Sequence, residues 1–442
     1  MSTWQEMTAA DLGRGIDTGE IDPVELTQFF LDAIDTHEYK DRIYARVTPD
    51  RALAEASAAQ DRARLKLRRS PLDGVPISWK DLFDTAGTVT EAGSKLLAGR
   101  VPDADAEVLQ AATQSGTVCL GKTHLSELAF SGLGLNPKTA TSPNIHNPDN
   151  APGGSSSGAA TSVAYGLAPA AIGSDTGGSV RVPSAWNDLV GLKTTSGVLS
   201  LTGAVPLASK FDTVGPLCKS VEDAALLYAI MNGERAIDLT PSALKGRRLA
   251  ILTTTALDDL RDDPRKGFDH AIQRFRDAGA EISEIAVPEL DTAMALAPIL
   301  YGSEAYGTWK DVIEANPDVM FAEILARFRS GKDFSAADYV AAWHTLEGCR
   351  AIYLEATAKF DAVLCPTCPI TPPNVDRLLT DSAYYVTENL LTLRNTRIGN
   401  LMGLCVLTLP TGTPACGVSL MAAPRDERRL LRLGLAAELA LT

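Results

Sequence analysis

The sequence predicts an α/β fold in which a large mixed β-sheet is covered by α-helices on both faces. Three observations carry this. Apolar runs of strand length, such as Leu249–Leu252, Ala362–Leu364 and Val406–Leu409, recur with helix-length segments between them. Alternation of that kind is satisfied by a sheet whose two faces are both packed under helices. The N-terminal part carries helix start signals instead, and neither an internal repeat nor a low-complexity segment breaks the pattern.

In chain order, Asp22-Pro23-Val24-Glu25 supplies an N-cap residue, proline at the first helical position and an acid in the first turn, so a helix follows through Leu26–Leu31. An alanine-rich helix is expected over Arg51–Leu67, with the basic run Arg62–Arg69 as its solvated end. From Ile77 onward short apolar runs alternate with helices. Asp105–Ala112 reads as a helix stopped by Gly116, and Thr117–Leu120 as a buried strand. Ala151–Ser174 holds no charged residue, but its glycines, prolines and hydroxyls indicate a buried loop and small-residue helix, not a membrane span. Residues from about 290 to 360 lack strand runs and are rich in helix formers.

At 442 residues, with 45% hydrophobic and 22% charged residues, the composition is that of a globular enzyme with one large core or two lobes in close contact. A net charge of −14 disfavours a phosphate backbone as partner, so no nucleic acid is expected. Seven scattered cysteines and a start, Met-Ser-Thr-Trp, without a basic and apolar leader lead to the expectation of a reduced, cytoplasmic protein. Cys365-Pro366-Thr367-Cys368 follows an apolar run and is hemmed by prolines, which fits a strand end better than a redox pair.

Two motif matches point elsewhere and fail on context. Gly116–Thr123 satisfies the P-loop pattern, yet the helix precedes it and the intervening residues form an apolar strand. Gly154-Ser155-Ser156-Ser157-Gly158 satisfies the nucleophile-elbow pattern, but a turn, Asn147–Pro152, stands where the upstream strand belongs. Of five histidines, His124 and His146 lie between the key motifs without metal-ligand spacing, so structural roles and no metal are expected.

The chemistry concentrates in two serine segments, Gly153–Gly158 and Ser174–Arg181. A Gly-Gly pair before a serine lets the backbone turn several N–H groups inward, as an oxyanion requires, and makes Ser179 a candidate nucleophile. A serine hydroxyl needs a base within hydrogen-bond reach. Lys80, behind the apolar run Val75–Trp79, can serve if burial keeps it neutral.

Pro71–Asp81, the two serine segments and Gly191–Gly197, in that order, resemble the amidase signature family. Family-like segments continue at Phe211–Pro216 and between Leu404 and Glu438. The likeness is most specific over 71–220 and weakest over 285–395. It implies a single domain over 1–442: N-terminal helices (1–70), a signature core (71–220) and variable pocket helices (285–395) around one continuous sheet.

The resemblance carries over Lys80 as base, Ser155 as bridging serine and Ser179 as nucleophile. It implies a cis Gly154–Ser155 peptide, and oxyanion donors from the backbone of Thr176, Gly177, Gly178 and Ser179. Ser156, Asp175 and Arg181 become supporting residues. The chain departs from the family pattern at Ser157, Thr194 and Val198, where glycine, proline and arginine are usual. It also has Val182 where arginine holds a carboxylate in malonamide-type members.

The implied activity is hydrolysis of a linear amide in a small molecule, through an acyl-enzyme and without a cofactor, membrane contact or metal. Two other readings share the motifs: the glutaminase component of a tRNA-dependent amidotransferase, and an allophanate- or carboxybiuret-type hydrolase with Arg394 or Arg397 binding the anion. A non-catalytic amide-binding protein is a further reading, against which the complete Lys80, Ser155 and Ser179 set stands. A homodimer fits the family but does not follow from composition or periodicity.

Overall fold

Eleven strands form one continuous mixed sheet in the computed structural model, which describes residues 4–442. The first three residues, on which the expectation of a missing leader partly rests, lie outside the described residues. The strands are β1 (Tyr44–Val47), β2 (Pro76–Lys80), β3 (Val118–Thr123), β4 (Ala170–Ser174), β5 (Val190–Lys193), β6 (Val214–Cys218), β7 (Arg248–Leu252), β8 (Glu281–Ile285), β9 (Ala362–Pro366), β10 (Cys405–Pro410) and β11 (Gly417–Ala422). Their order is β1-β3-β2-β4-β6-β5-β10-β11-β9-β7-β8. β2 runs parallel to both β3 and β4, whereas β4–β6, β5–β10 and β10–β11 are antiparallel.

Helices lie on both faces, so β2, β4, β6 and β11 are buried along their whole length, and their sequences are apolar or small instead of alternating. The edge strand β8 places Glu281, Ser283 and Glu284 in solvent, which discourages pairing with another chain. The fold class and the single sheet expected from the sequence are thus present.

The expected helix start at Asp22 forms, with its carboxylate accepting from the Val24 and Glu25 N–H groups. The alanine-rich helix spans Pro49–Arg64. Its basic end is largely solvated, as expected, but two of its arginines are engaged: Arg62 donates to both carboxylate oxygens of Asp73, and Arg68 to the Pro71 and Asp73 carbonyls. These arginines brace the turn that leads into β2.

The uncharged stretch contains the helix Ser157–Ala164, as expected, but also β4, which sequence patterning passes over. Ala170-Ala171-Ile172-Gly173-Ser174 has weak strand propensity, and pairing with β2 and β6 imposes the conformation. A Cβ added to Gly173 would lie 2.5 Å from Ser156 Oγ, so close packing of the first serine segment demands the small residue.

The region from 290 to 360 contains helices and turns but no strand: Glu289–Ala295, Ala297–Ala315, Ala322–Arg329 and Ala336–Thr357, with a short 3-10 turn at Pro317–Val319. Stacking of Phe211 on Trp343, with centroids 5.1 Å apart, ties this layer to the core. Among the described residues, no helix is long and apolar enough to cross a membrane.

Candidate active site

Lys80 ends β2 fully buried, and its Nζ donates to Ser155 Oγ at 2.7 Å and to Ser174 Oγ at 2.8 Å. No carboxylate among the described residues pairs with it. Burial drives its pKa down to about 7, although the charges of Asp175 and Asp212 oppose the shift. Neutral lysine is thus available at ordinary pH, as a proton acceptor must be.

Ser155 follows a cis peptide bond from Gly154. Gly153 is at φ +82, and a Cβ there would lie 2.7 Å from Pro183 Cα, so both backbone conformation and space require glycine. Ser157, where the family pattern has glycine, opens the helix Ser157–Ala164 and is not at positive φ, so the serine is accommodated there without backbone strain. Ser156 Oγ donates to the Ser174 carbonyl at 3.2 Å, and its N–H donates to the Ser179 carbonyl at 3.2 Å. The two serine segments are therefore stitched together directly.

Ser179 lies in the tight turn after β4 and lines a narrow cavity of about 30 Å³ with Thr176 and Gly177. Its hydroxyl makes no hydrogen bond with Ser155 or any other described residue. The Lys80–Ser155 link is formed and the Ser155–Ser179 link is open.

The turn itself is held by Asp175. One carboxylate oxygen accepts from Gly178 N–H at 2.8 Å and the other from Val180 N–H at 3.1 Å. Burial acts to raise the Asp175 pKa, but Arg181 beside it holds the carboxyl well below the usual range. Arg181 also reaches the Thr396 carbonyl and Asn400, while Thr396 Oγ1 donates to the Gly177 carbonyl.

This geometry corrects one expected role. Gly178 N–H is committed to Asp175 and so anchors the turn, whereas the N–H groups of Thr176, Gly177 and Ser179 take no partner among the described residues. Gly178 itself, at φ +140, cannot be replaced freely: a Cβ would lie 2.2 Å from Thr396 Oγ1.

Sequence reading misses Ser174, Asp212, Thr396 and Asn400 as parts of this assembly. Ser174 opens the second serine segment, but its contact with Lys80 arises only where β4 lies beside β2. Asp212 accepts from Thr176 Oγ1 and from the Leu207 and Ala208 N–H groups. The two arginines read as anion binders separate: Arg397 lines the cavity, whereas Arg394 turns away to the Asp258 carbonyl and Asn395. Val182 is fully buried in an apolar cluster with Trp186 and Leu133.

The remaining polar candidates are structural. Lys122, in the P-loop-like segment, is locked to Thr90 Oγ1 and Asp81 inside β3. His124 is half-buried with its pKa pushed down to about 4, mainly by desolvation, and His146 pairs with Asp188 at 2.9 Å. All seven cysteines are buried and free.

A family model described as Amidase matches residues 25–431. Among curated proteins, the 2-amino-5-chloromuconic acid deaminase of Comamonas testosteroni is 33% identical over 412 residues, covering 90% of this chain and 88% of the relative. A component of the glutamyl-tRNA(Gln) amidotransferase of Thioalkalivibrio sulfidiphilus is 32% identical over 470 residues, covering 96% of this chain and 95% of the relative. Among solved structures, the peptide amidase of Stenotrophomonas maltophilia superposes with a TM-score of 0.82 at 27% identity, covering 98% of this chain and 96% of that one.

Proposed function

The chain belongs to the amidase family and hydrolyses carbon–nitrogen amide bonds, and from that premise we propose that Ser179 is its nucleophile, Ser155 the bridging acid-base group and Lys80 the base. The observation that carries this assignment is the 2.7 Å contact between Lys80 Nζ and Ser155 Oγ at a lysine whose pKa is lowered to about 7.

Neutral Lys80 accepts the Ser155 proton as Ser155 accepts that of Ser179, and Ser179 Oγ bonds to the amide carbonyl carbon. The free N–H groups of Thr176, Gly177 and Ser179 supply donors for the resulting oxyanion. Losing one such donor typically costs about 3–4 kcal/mol of transition-state stabilisation. The proton then returns through Ser155 to the amide nitrogen, the C–N bond breaks, and an ester on Ser179 remains. Water hydrolyses that ester through the same relay, giving the carboxylate and restoring Ser179. Ser156, Asp175 and Arg181 hold the two serine segments in register.

The chain is read as one amidase domain over 1–442, with 1–70 as N-terminal helices, 71–220 as catalytic core and 285–395 as the layer that sets substrate choice. The single eleven-stranded sheet supports this. A stand-alone enzyme on a small amide is preferred over a component of an amidotransferase because the overall charge of −14 is unsuited to a tRNA-bearing assembly and because Val182 gives the turn an apolar neighbour. A cytoplasmic homodimer is the working state, to be checked by light scattering.

The test is labelling with a serine-directed fluorophosphonate followed by peptide mass spectrometry. Modification of Ser179 that is absent in Ser179→Ala supports the assignment. Modification at Ser156, or none, rejects it.

A further inference from the structure

Three helices meet at the wall of the Ser179 cavity, and each contributes a polar side chain: two have a buried donor without a partner, and the third is a cation without an acidic partner among the described residues. Tyr301 comes from Ala297–Ala315, Arg327 from Ala322–Arg329 and Arg397 from Arg394–Leu401. Tyr301 Oη and Arg327 Nη1 are both buried without a hydrogen-bond partner. The Arg327 side chain forms no hydrogen bond or salt bridge with any described residue, and stacks on Phe130 at 4.5 Å. The Arg397 side chain reaches only the Leu390 carbonyl, at 3.4 Å, and has no acidic partner among the described residues.

Two cations side by side without an anion are costly. Burial and mutual repulsion lower the pKa of Arg327, and burial lowers that of Arg397. The nearby carboxylates are already engaged. Asp212 accepts from Thr176, Leu207 and Ala208, and Glu304 from Lys210 N–H and Tyr339 Oη. Orphaned buried donors in a folded protein call for a specific explanation, and two guanidinium groups with a phenol in one corner match a carboxylate, which accepts at both oxygens.

We infer that Arg327, Arg397 and Tyr301 bind the carboxylate of an anionic substrate, so that the enzyme cleaves small amides carrying a carboxylate within a few bonds of the scissile carbonyl. This rests on Ser179 being the nucleophile. The same cavity holds Ser179, the free N–H groups of Thr176 and Gly177, and the arginines, and its volume of about 30 Å³ leaves room for few atoms between them. Monoamides of short dicarboxylic acids and N-carboxylated ureas share this chemistry. Val182 is buried in an apolar cluster and does not line this cavity, whose two cationic lining residues are Arg327 and Arg397.

The experiment measures the rate of Ser179 labelling by a neutral fluorophosphonate with and without succinate, maleate or oxamate, each compared with its neutral diamide. The expected result is that the anions slow labelling of the wild type at least about tenfold at concentrations where the diamides do not. In Arg327→Gln and Arg397→Gln, each referred to its own unprotected rate, that protection falls by a similar factor. Ammonia release from succinamate, maleamate and allophanate then separates the dicarboxylate monoamides from the carboxylated ureas. Equal protection by anions and diamides, no protection, or protection that survives both variants overturns the inference. The wild-type comparison decides even if one variant fails to fold. Absence of labelling at Ser179 in the unliganded wild type rejects the nucleophile and is told apart from loss of anion protection alone.

Discussion

Arg181 grips Asp175 through both ends of its guanidinium fork, with Nε 3.0 Å from Oδ2 and Nη2 2.9 Å from Oδ1, and both side chains are buried. The carboxylate thereby presented is what the N–H groups of Gly178 and Val180 and the Asn400 amide converge on. The ion pair is thus the underside of the nucleophile turn.

Removing one partner leaves a buried charge uncompensated, so Arg181→Met is expected to lose about 3–5 kcal/mol of stability and its Ser179 labelling together. Arg181→Lys also fails, because an ammonium cannot span two carboxylate oxygens. Urea denaturation and probe labelling read the two effects. Because the Asp175 pKa is depressed, its contribution is present above the ordinary aspartate value and disappears as pH falls through the folded value. The loss belongs to strongly acidic solution and leaves neutral pH untouched.

Lys80 makes the opposite kind of demand. Its folded pKa of about 7 lies below the value of 10.5 for a free lysine, so activity is expected to rise with pH along a single limb centred near 7. Between about 7 and 10.5 the unfolded chain binds the extra proton, so this group makes stability rise with pH across that window. Each pKa unit is worth about 1.4 kcal/mol. The stability difference between wild type and Lys80→Met should therefore grow in favour of the wild type from about pH 7 to about pH 10, measured by urea denaturation. A flat difference would place Lys80 in a more solvated setting than the structure has it.

Ser174 shares the Lys80 ammonium with Ser155. A hydroxyl that accepts from the charged form favours that form, so Ser174→Ala should move the pH limb to lower pH. The same change frees one side of the amine and loosens its aim at Ser155. The plateau rate is expected to fall about tenfold even as more lysine is neutral. A pH–rate profile resolves the two, because a purely structural defect would lower the plateau without moving the midpoint.

The parts of this site that are legible in the sequence are those whose local backbone does the chemistry. Gly177-Gly178-Ser179 announces a turn with inward N–H groups, and Lys80 stands at the end of an apolar strand. β4 is not legible, since Ala170–Ser174 becomes a strand only by filling the space between β2 and β6. Tyr301 and Arg327 lie in helices without any motif, and their relevance arises from two polar atoms left unpaired after folding. The commitment of Gly178 N–H to Asp175 is hidden for the same reason: spacing places a donor in a turn but does not say which acceptor claims it.

Far from the catalytic cavity, Asp223 is buried near the start of the helix Val221–Met231, where Oδ1 accepts from Ala10 N–H at 2.8 Å and Oδ2 has no partner. Burial pushes its pKa up to about 6 from 3.8. The folded state then holds a proton that the unfolded chain has released, so stability from this group is full below about pH 4 and lost as pH rises through 6. A shift of about two units corresponds to about 3 kcal/mol. Asp223→Asn cannot titrate and lacks this term, whatever its own packing costs. The stability of wild type minus that of the variant is thus expected to fall by about 3 kcal/mol between about pH 3.5 and about pH 8, read from urea midpoints at matched slope. If the difference stays constant, Asp223 is ionised throughout and the N-terminal helix holds it as a charged cap.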